Sequence, residues 1–233
     1  MNPAHLPLHQ QLAHLRTVLS TNKTLVEVLE RAATLRLPNW YLAAGAVSQT
    51  IWNHVSGFPP ETGIHDYDLI YFDDTDLSYE AEDAVIQSSR ALFEPIQPDG
   101  GPGDDGDDKA KVKVDVEIRN QARVHLWYEK RFGVPLDPPH ASSEAAIDTW
   151  HSTSAQIAVR LEDDGQWSVY APRGLSDFFN MQVRPAPRLG TRQAYEDKVR
   201  RWRQIWPALK VEPWPERTEA GERARAQDKG SQA

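Results

Sequence analysis

His65-Asp66-Tyr67-Asp68-Leu69-Ile70-Tyr71-Phe72-Asp73-Asp74 is the stretch on which the reading of this chain turns. Leu69 to Phe72 is a short apolar run with β-branched and aromatic residues, the pattern of a buried strand. Asp66 and Asp68 stand two apart at its mouth, and residues i and i+2 of a strand share a face. Two carboxylates side by side against apolar walls are costly unless a positive group lies between them. A divalent cation held by oxygen ligands and shared with a phosphate is the commonest such group. The pair alone is not specific, because Asp-x-Asp arises readily in an acidic chain, as Asp74-x-Asp76 shows.

Upstream, Trp40 to Ala43 reads as a short strand, Gly45 follows at once, and Ala46 to His54 has the pattern of a helix that begins with small residues. Strand, small-residue turn and helix is a shape in which backbone N–H groups face a phosphate; a tight turn with no ligand fits the same residues. A loop containing Gly57, Pro59, Pro60 and Gly63 then leads into the Asp66 strand. Further back, Leu12, Leu15 and Leu19, then Leu25, Val28 and Leu29, recur at helical spacing on either side of Ser20-Thr21-Asn22, which predicts two helices.

Downstream, Ser78 to Phe93 predicts a helix with acidic residues in its first turn. Gln97 to Lys111, rich in glycine and aspartate, predicts a disordered acidic loop; it lacks the spacing and closing glutamate of a calcium loop. Val112 to Ile118 alternates strictly, with Asp115 and Glu117 on the face opposite the valines. If that strand neighbours the Asp66 strand, one of these carboxylates reaches the same ion; otherwise they are a solvated polar face. Helices follow over 120–131, 141–150 and 175–181. Glu162-Asp163-Asp164-Gly165 predicts a hairpin between strands over 155–161 and 166–170, and Gln193 to Trp206 forms a last helix. The end of the chain, charged and nearly free of apolar residues, predicts a disordered tail.

The 233 residues carry a net charge of −8, which argues against a broad nucleic-acid surface while leaving room for one nucleotide. There is no cysteine, hence no disulfide or thiolate metal site, and no apolar run long enough for a membrane span. A cytoplasmic location is expected. The histidines, among them His54, His65, His125, His140 and His151, are too scattered to read as metal ligands, and no Gly-x-Ser-x-Gly elbow is present.

Five segments together resemble a known family: A-A-G-A-V-S-Q-T-I-W-N (43–53), H-D-Y-D-L-I-Y-F-D (65–73), V-E-I-R-N-Q-A-R-V-H-L-W-Y (116–128), A-I-D-T-W (146–150) and Y-A-P-R-G-L-S-D-F-F-N (170–180). They look like the bacterial nucleotidyltransferase-like family 6, whose substrate is unknown, within the DNA polymerase beta superfamily. The resemblance runs from about Trp40 to Pro207, and its 117–128 segment is far more specific than any Asp-x-Asp. It implies an α+β nucleotidyltransferase fold, a small mixed sheet flanked by helices. N-terminal helices (1–38) would pack on a core (39–132, with the acidic loop at 97–111). A C-terminal hairpin and helical extension (133–210) and a tail (211–233) would follow.

By the same resemblance Gly45, with Ser48 three residues on, belongs to the triphosphate turn. Asp66 and Asp68 become the pair that holds Mg²⁺ or Mn²⁺, and Glu117 the third carboxylate, with Asp115 the alternative. Arg123, Lys198 and Arg201 are candidates to meet the phosphates, or are merely solvated helix cations. The chain departs from the superfamily in having Ala46 after the glycine and a longer path from Gly45 to Asp66. The implied activity is transfer of a nucleoside monophosphate from an NTP to an unknown acceptor: a small molecule, an RNA or a protein. The alternative is a nucleotide-binding or partner-binding module of the same fold without turnover.

Overall fold

In the computed structural model, residues 2–94, 114–189 and 191–216 are described. The acidic loop expected at 97–111 and the end of the chain from residue 217 lie outside them.

Two helices, α1 (Leu8–Leu19) and α2 (Lys23–Leu35), open the chain. They separate at the Ser20–Asn22 break because the Asn22 side chain accepts from the Leu25 backbone at 2.9 Å and so caps α2. Strand β1 (Tyr41–Ala43) leads into α3 (Gly45–Ser56), which stops at Gly57 in a left-handed conformation. Strand β2 (Asp66–Tyr71), helix α4 (Tyr79–Phe93) and strand β3 (Asp115–Asn120) form a parallel crossover. After a 3₁₀ turn at Gln121–Arg123 come α5 (His125–Phe132), α6 (Ser143–Ile147) and the hairpin of β4 (Ala158–Leu161) and β5 (Trp167–Tyr170). The chain closes with α7 (Ser176–Phe179), β6 (Gln182–Val183), α8 (Arg192–Ile205) and β7 (Lys210–Val211). The β6–β7 ladder is parallel, so paired structure continues one residue past the boundary expected for the tail at 211.

The five-stranded sheet has the order β3-β2-β1-β4-β5, with β2 and β3 parallel and the other neighbours antiparallel. Its two faces differ. Leu42, Tyr67, Leu69, Ile118 and Val159 pack into one large core with Leu15, Leu19, Leu25, Leu29, Val47 and Ile51 of the first three helices. The opposite face carries a smaller cluster, Tyr41, Ala43, Ile70 and Ala158 under Ile147 of α6. Strand alternation puts Asp66 and Asp68 on this second face with Ile70, and Asp115, Glu117 and Arg119 beside them. α3 is shared between two cores, because its Trp52 turns away from the sheet into a cluster with Tyr195, Trp202 and Trp206 of the C-terminal segment.

Candidate active site

Register brings the carboxylates together. In the β2–β3 ladder Asp66 is level with Asp115 and Asp68 with Glu117, and on the other flank Ala43 is level with Asp68. The condition set by the sequence, that the two acidic strands be neighbours, is therefore met, and the Gly45 turn begins two residues beyond the position paired with Asp68.

That turn is strained at Ala44 rather than at Gly45. Ala44 has φ 56° and ψ −121°, a region a residue with a Cβ rarely adopts. It is held there because its N–H donates to the Ile157 carbonyl at 2.9 Å while its own carbonyl accepts from Ser48. Gly45 leaves space for a neighbour instead: a Cβ there would lie 3.0 Å from Nε2 of Gln49, whose buried Oε1 has no partner among the described residues. Strain of this kind costs on the order of 1–3 kcal/mol. Ala44→Gly is expected to raise stability by up to about 1 kcal/mol after the entropy of an added glycine is set against that relief. The urea midpoint at unchanged m-value measures it, and a fall in midpoint would show that Ala44 is unstrained.

Asp68 lies partly buried at the base of the site. Burial first, then the Asp66 carboxylate, push its pKa up to about 6; Lys198 opposes them, Glu117 adds to the rise and Arg119 opposes it. Asp66 and Glu117 are exposed at the rim. Lys198, partly buried on α8, is lowered by burial, raised by Asp68 and Asp66, and lowered again by Arg201 one turn along the helix. The charge of Lys198 acts on the strand carboxylates from α8, which is docked on α3 through aromatic rings: Trp52 meets Trp202 and Trp206 edge-on, each at 5.4 Å between centroids. The pKa of His151 is lowered to about 4, first by burial and then by the charge of Lys198.

Two candidates from the sequence sit differently. The Ser48 hydroxyl, 1 % exposed, donates to the Ala44 carbonyl at 3.2 Å and so serves its own helix. Arg123 lies just past the far end of β3, roughly 16 Å along the chain from Glu117, with three extended residues at about 3.3 Å each and three 3₁₀ residues at about 2 Å each between them. There it pairs with buried Glu82 of α4 and donates from Nε to the Leu77 carbonyl at 2.9 Å. Glu82 also accepts from the Asn120 backbone at 2.8 Å, and Asn120 clamps Asp73 through its side-chain amide. Asn120 and Arg123 of the I-R-N-Q-A-R run thus join β3 to α4 and to the end of β2. Arg123→Lys, which cannot hold both partners, is expected to cost about 1–3 kcal/mol of stability while leaving nucleotide affinity unchanged; chemical denaturation and a binding titration read the two separately. Arg119, unlike Arg123, adjoins the carboxylate cluster on the same face of β3, and it does not stand out in the sequence.

The donor set suits a hard divalent cation: oxygen ligands on adjacent strands, one of them made harder to ionise first by burial and then by Asp66. As the side chains stand, no group of three His, Asp or Glu among the described residues is gathered closely enough to hold one.

Comparison with known proteins agrees with this architecture. No curated protein matches the chain. A solved structure described as an NMR structure revealing a CCA-adding enzyme head domain superposes with a TM-score of 0.65 at 23% identity, covering 91% of this chain and 100% of that one. This likeness shows the fold. A structure of tRNA-processing enzyme complex 3 follows at a TM-score of 0.41 and 15% identity, covering 79% of this chain and 43% of that one, too distant to carry an argument. A family model described as nucleotidyltransferase matches residues 30–211. With a match over most of its length, and the α+β fold that goes with it, the chain belongs to this nucleotidyltransferase family.

Proposed function

We propose that the protein transfers a nucleoside monophosphate from an NTP to an acceptor hydroxyl or phosphate, with Mg²⁺ or Mn²⁺. The observation that carries this reading is the register that sets Glu117 level with Asp68 on one face, beside the turn into α3. Asp66 and Asp68 would hold the metal, with Glu117 as third ligand; Asp115, level with Asp66, is the farther choice, since Glu117 is the β3 carboxylate that acts on Asp68. A divalent ion bound there supplies positive charge to the phosphoryl oxygens and lowers the pKa of an acceptor hydroxyl.

The chain's own part is positioning and charge. The acceptor oxygen forms a bond to the α-phosphorus as the bond to the bridging oxygen breaks and pyrophosphate leaves; Glu117, exposed at the rim, takes the acceptor's proton. The first-turn N–H groups of α3 face the phosphates, and Lys198 and Arg201 offset charge on the leaving group. A nucleotide-binding module without turnover is the second reading, favoured by the ungathered side chains.

Incubation of the protein with each labelled NTP, Mg²⁺ or Mn²⁺ and a cell extract as acceptor source separates the two. Label joined to an acceptor with release of pyrophosphate, both lost in Asp68→Asn, supports transfer. Nucleotide binding with no pyrophosphate released under any condition overturns it in favour of the module.

A further inference from the structure

Helix α6 and the turn after it lie across the sheet face that carries Asp68. The helix starts at the entry of β1, where the Asn39 amide and the Tyr41 hydroxyl donate to Glu144 at 3.2 and 2.6 Å. Ile147 then clusters with Tyr41, Ala43, Ile70 and Ala158, and Trp150 packs against the same cluster. Ala43 is level with Asp68, Ala158 with Ala43 and Tyr170 with Ala158, so one row of the sheet runs from Asp68 to β5. The Tyr170 hydroxyl closes that row by donating to Asp148 at 2.8 Å. The A-I-D-T-W segment (146–150) thus advances along the face from the entry of β1 and brings Trp150 to the Asp68 end.

Hydrogen bonds tie Trp150 to the turn into α3. The Gln156 side-chain amide, 1 % exposed, donates to the Trp150 carbonyl at 3.2 Å and to that of Asp148 at 3.0 Å. The next residue, Ile157, accepts at 2.9 Å from the N–H of Ala44, which directly precedes Gly45. Trp150 is therefore one side chain and one backbone hydrogen bond away from that turn, and its indole is only half-buried. Asp66, Asp68, Asp115 and Glu117, which β2 and β3 present at this end, are carboxylates suited to a metal. A flat apolar ring close to them suits the one apolar part of a nucleotide, its base.

We propose that Trp150 is the base contact of the nucleotide site: its half-exposed indole stacks on the base of the nucleoside triphosphate whose phosphates lie at the turn into α3. This rests on the nucleotidyl-transfer reading of the site. Every base has a π-face, so the stack holds a nucleotide without choosing among the bases. It distinguishes an NTP from inorganic polyphosphate, and by fixing the nucleoside end it helps to keep the α-phosphorus at the carboxylates.

The test is direct binding of a non-hydrolysable α,β-methylene NTP and of inorganic tripolyphosphate, each with Mg²⁺, to the full chain. Trp150→Ala is expected to weaken the NTP analogue about tenfold and tripolyphosphate hardly at all. Trp150→Phe, which keeps a ring to stack on, recovers most of the loss. In the wild-type protein the Trp150 indole N–H resonance shifts on adding the analogue and stays in place on adding tripolyphosphate, a readout that does not depend on the alanine variant folding. If the analogue binds the wild type and Asp68→Asn weakens it, but Trp150→Ala binds equally well and the resonance stays in place, this inference is overturned while the transferase reading stands. Equal weakening of both ligands by Trp150→Ala overturns it too, because the ring would then only support the turn. If the wild type binds no analogue at all, both fall.

Discussion

Asp68→Asn is expected to reduce nucleotide transfer at least about a hundredfold, since it removes charge from the centre of the electrostatic apparatus, and at the same time to stabilise the metal-free protein above pH 6. The second effect follows from the rise of the Asp68 pKa from 3.8 to about 6, caused first by burial and then by Asp66. As pH rises from 3.8 the unfolded chain gives up this proton while the folded protein still holds it. Stability therefore declines through the window between 3.8 and about 6, and the whole penalty is present above it. Its upper size is about 3 kcal/mol, and partial exposure of the side chain reduces it. Asparagine keeps the shape without the charge. Urea denaturation of wild type and variant in chelator at pH 5 and pH 8 measures the effect. The variant's advantage is expected to grow from the lower to the higher pH, and added Mg²⁺ to stabilise the wild type alone. Equal stabilities at both pH values would mean that Asp68 is not crowded by its neighbours. A residue that lowers stability so that a ligand can restore it is the pattern of a functional site rather than of a chance acidic pair.

What the sequence made legible was what local pattern determines. The apolar run after Asp68, the alternation from Val112 to Ile118 and the Glu162–Gly165 turn each dictate an element, and alternation also puts Asp115 and Glu117 on one face. The pairing of Asp68 with Glu117 rather than with Asp115 was not legible, because register depends on the crossover through α4 and on how Asn120 and Glu82 fasten its far end. Arg123 stood as one candidate for the phosphates beside the reading of a solvated cation, because a cation after a strand looks the same in sequence whether it faces a ligand, solvent or a buried carboxylate; its partner Glu82 is 41 residues away. Lys198 was named as a candidate among other helix cations, and what separates it from Arg200 or Arg203 is the docking of α8.

That docking depends on Trp206, and Trp206→Ala is expected to cost about 3–5 kcal/mol of stability, the range for removing a buried tryptophan. The indole is 1 % exposed, packs edge-on against Trp52, and donates from Nε1 to Oδ1 of Asn53 at 2.8 Å. It also closes on Gly63, where a Cβ would lie 2.8 Å from Cη2 and where φ is 72°, so the loop there both needs glycine and is roofed by this ring. Asn53 in turn donates to the carbonyls of Pro60 and Thr62 at 2.9 Å each. The long path from Gly45 to Asp66 is thus fastened to the C-terminal segment through Asn53 and Trp206. Trp206→Phe keeps a ring in the cluster and loses the hydrogen bond together with part of the packing, so its expected cost is smaller, about 1–3 kcal/mol. Because the same side chain locates both α8 with Lys198 and the loop entering the Asp66 strand, the folded fraction of Trp206→Ala is expected to bind a non-hydrolysable α,β-methylene NTP more weakly than the wild type does. Folded Trp206→Phe is expected to bind it as the wild type does. Titration at low temperature, with the folded fraction fixed by circular dichroism, separates affinity from stability. Full affinity in the folded Trp206→Ala protein would mean that Lys198 reaches the carboxylates without the aromatic lock. Loss in the alanine variant alone would tie the strand carboxylates, the inserted loop and the last helix into one unit, in which a packing residue remote from the carboxylates determines where the phosphate-facing cation stands.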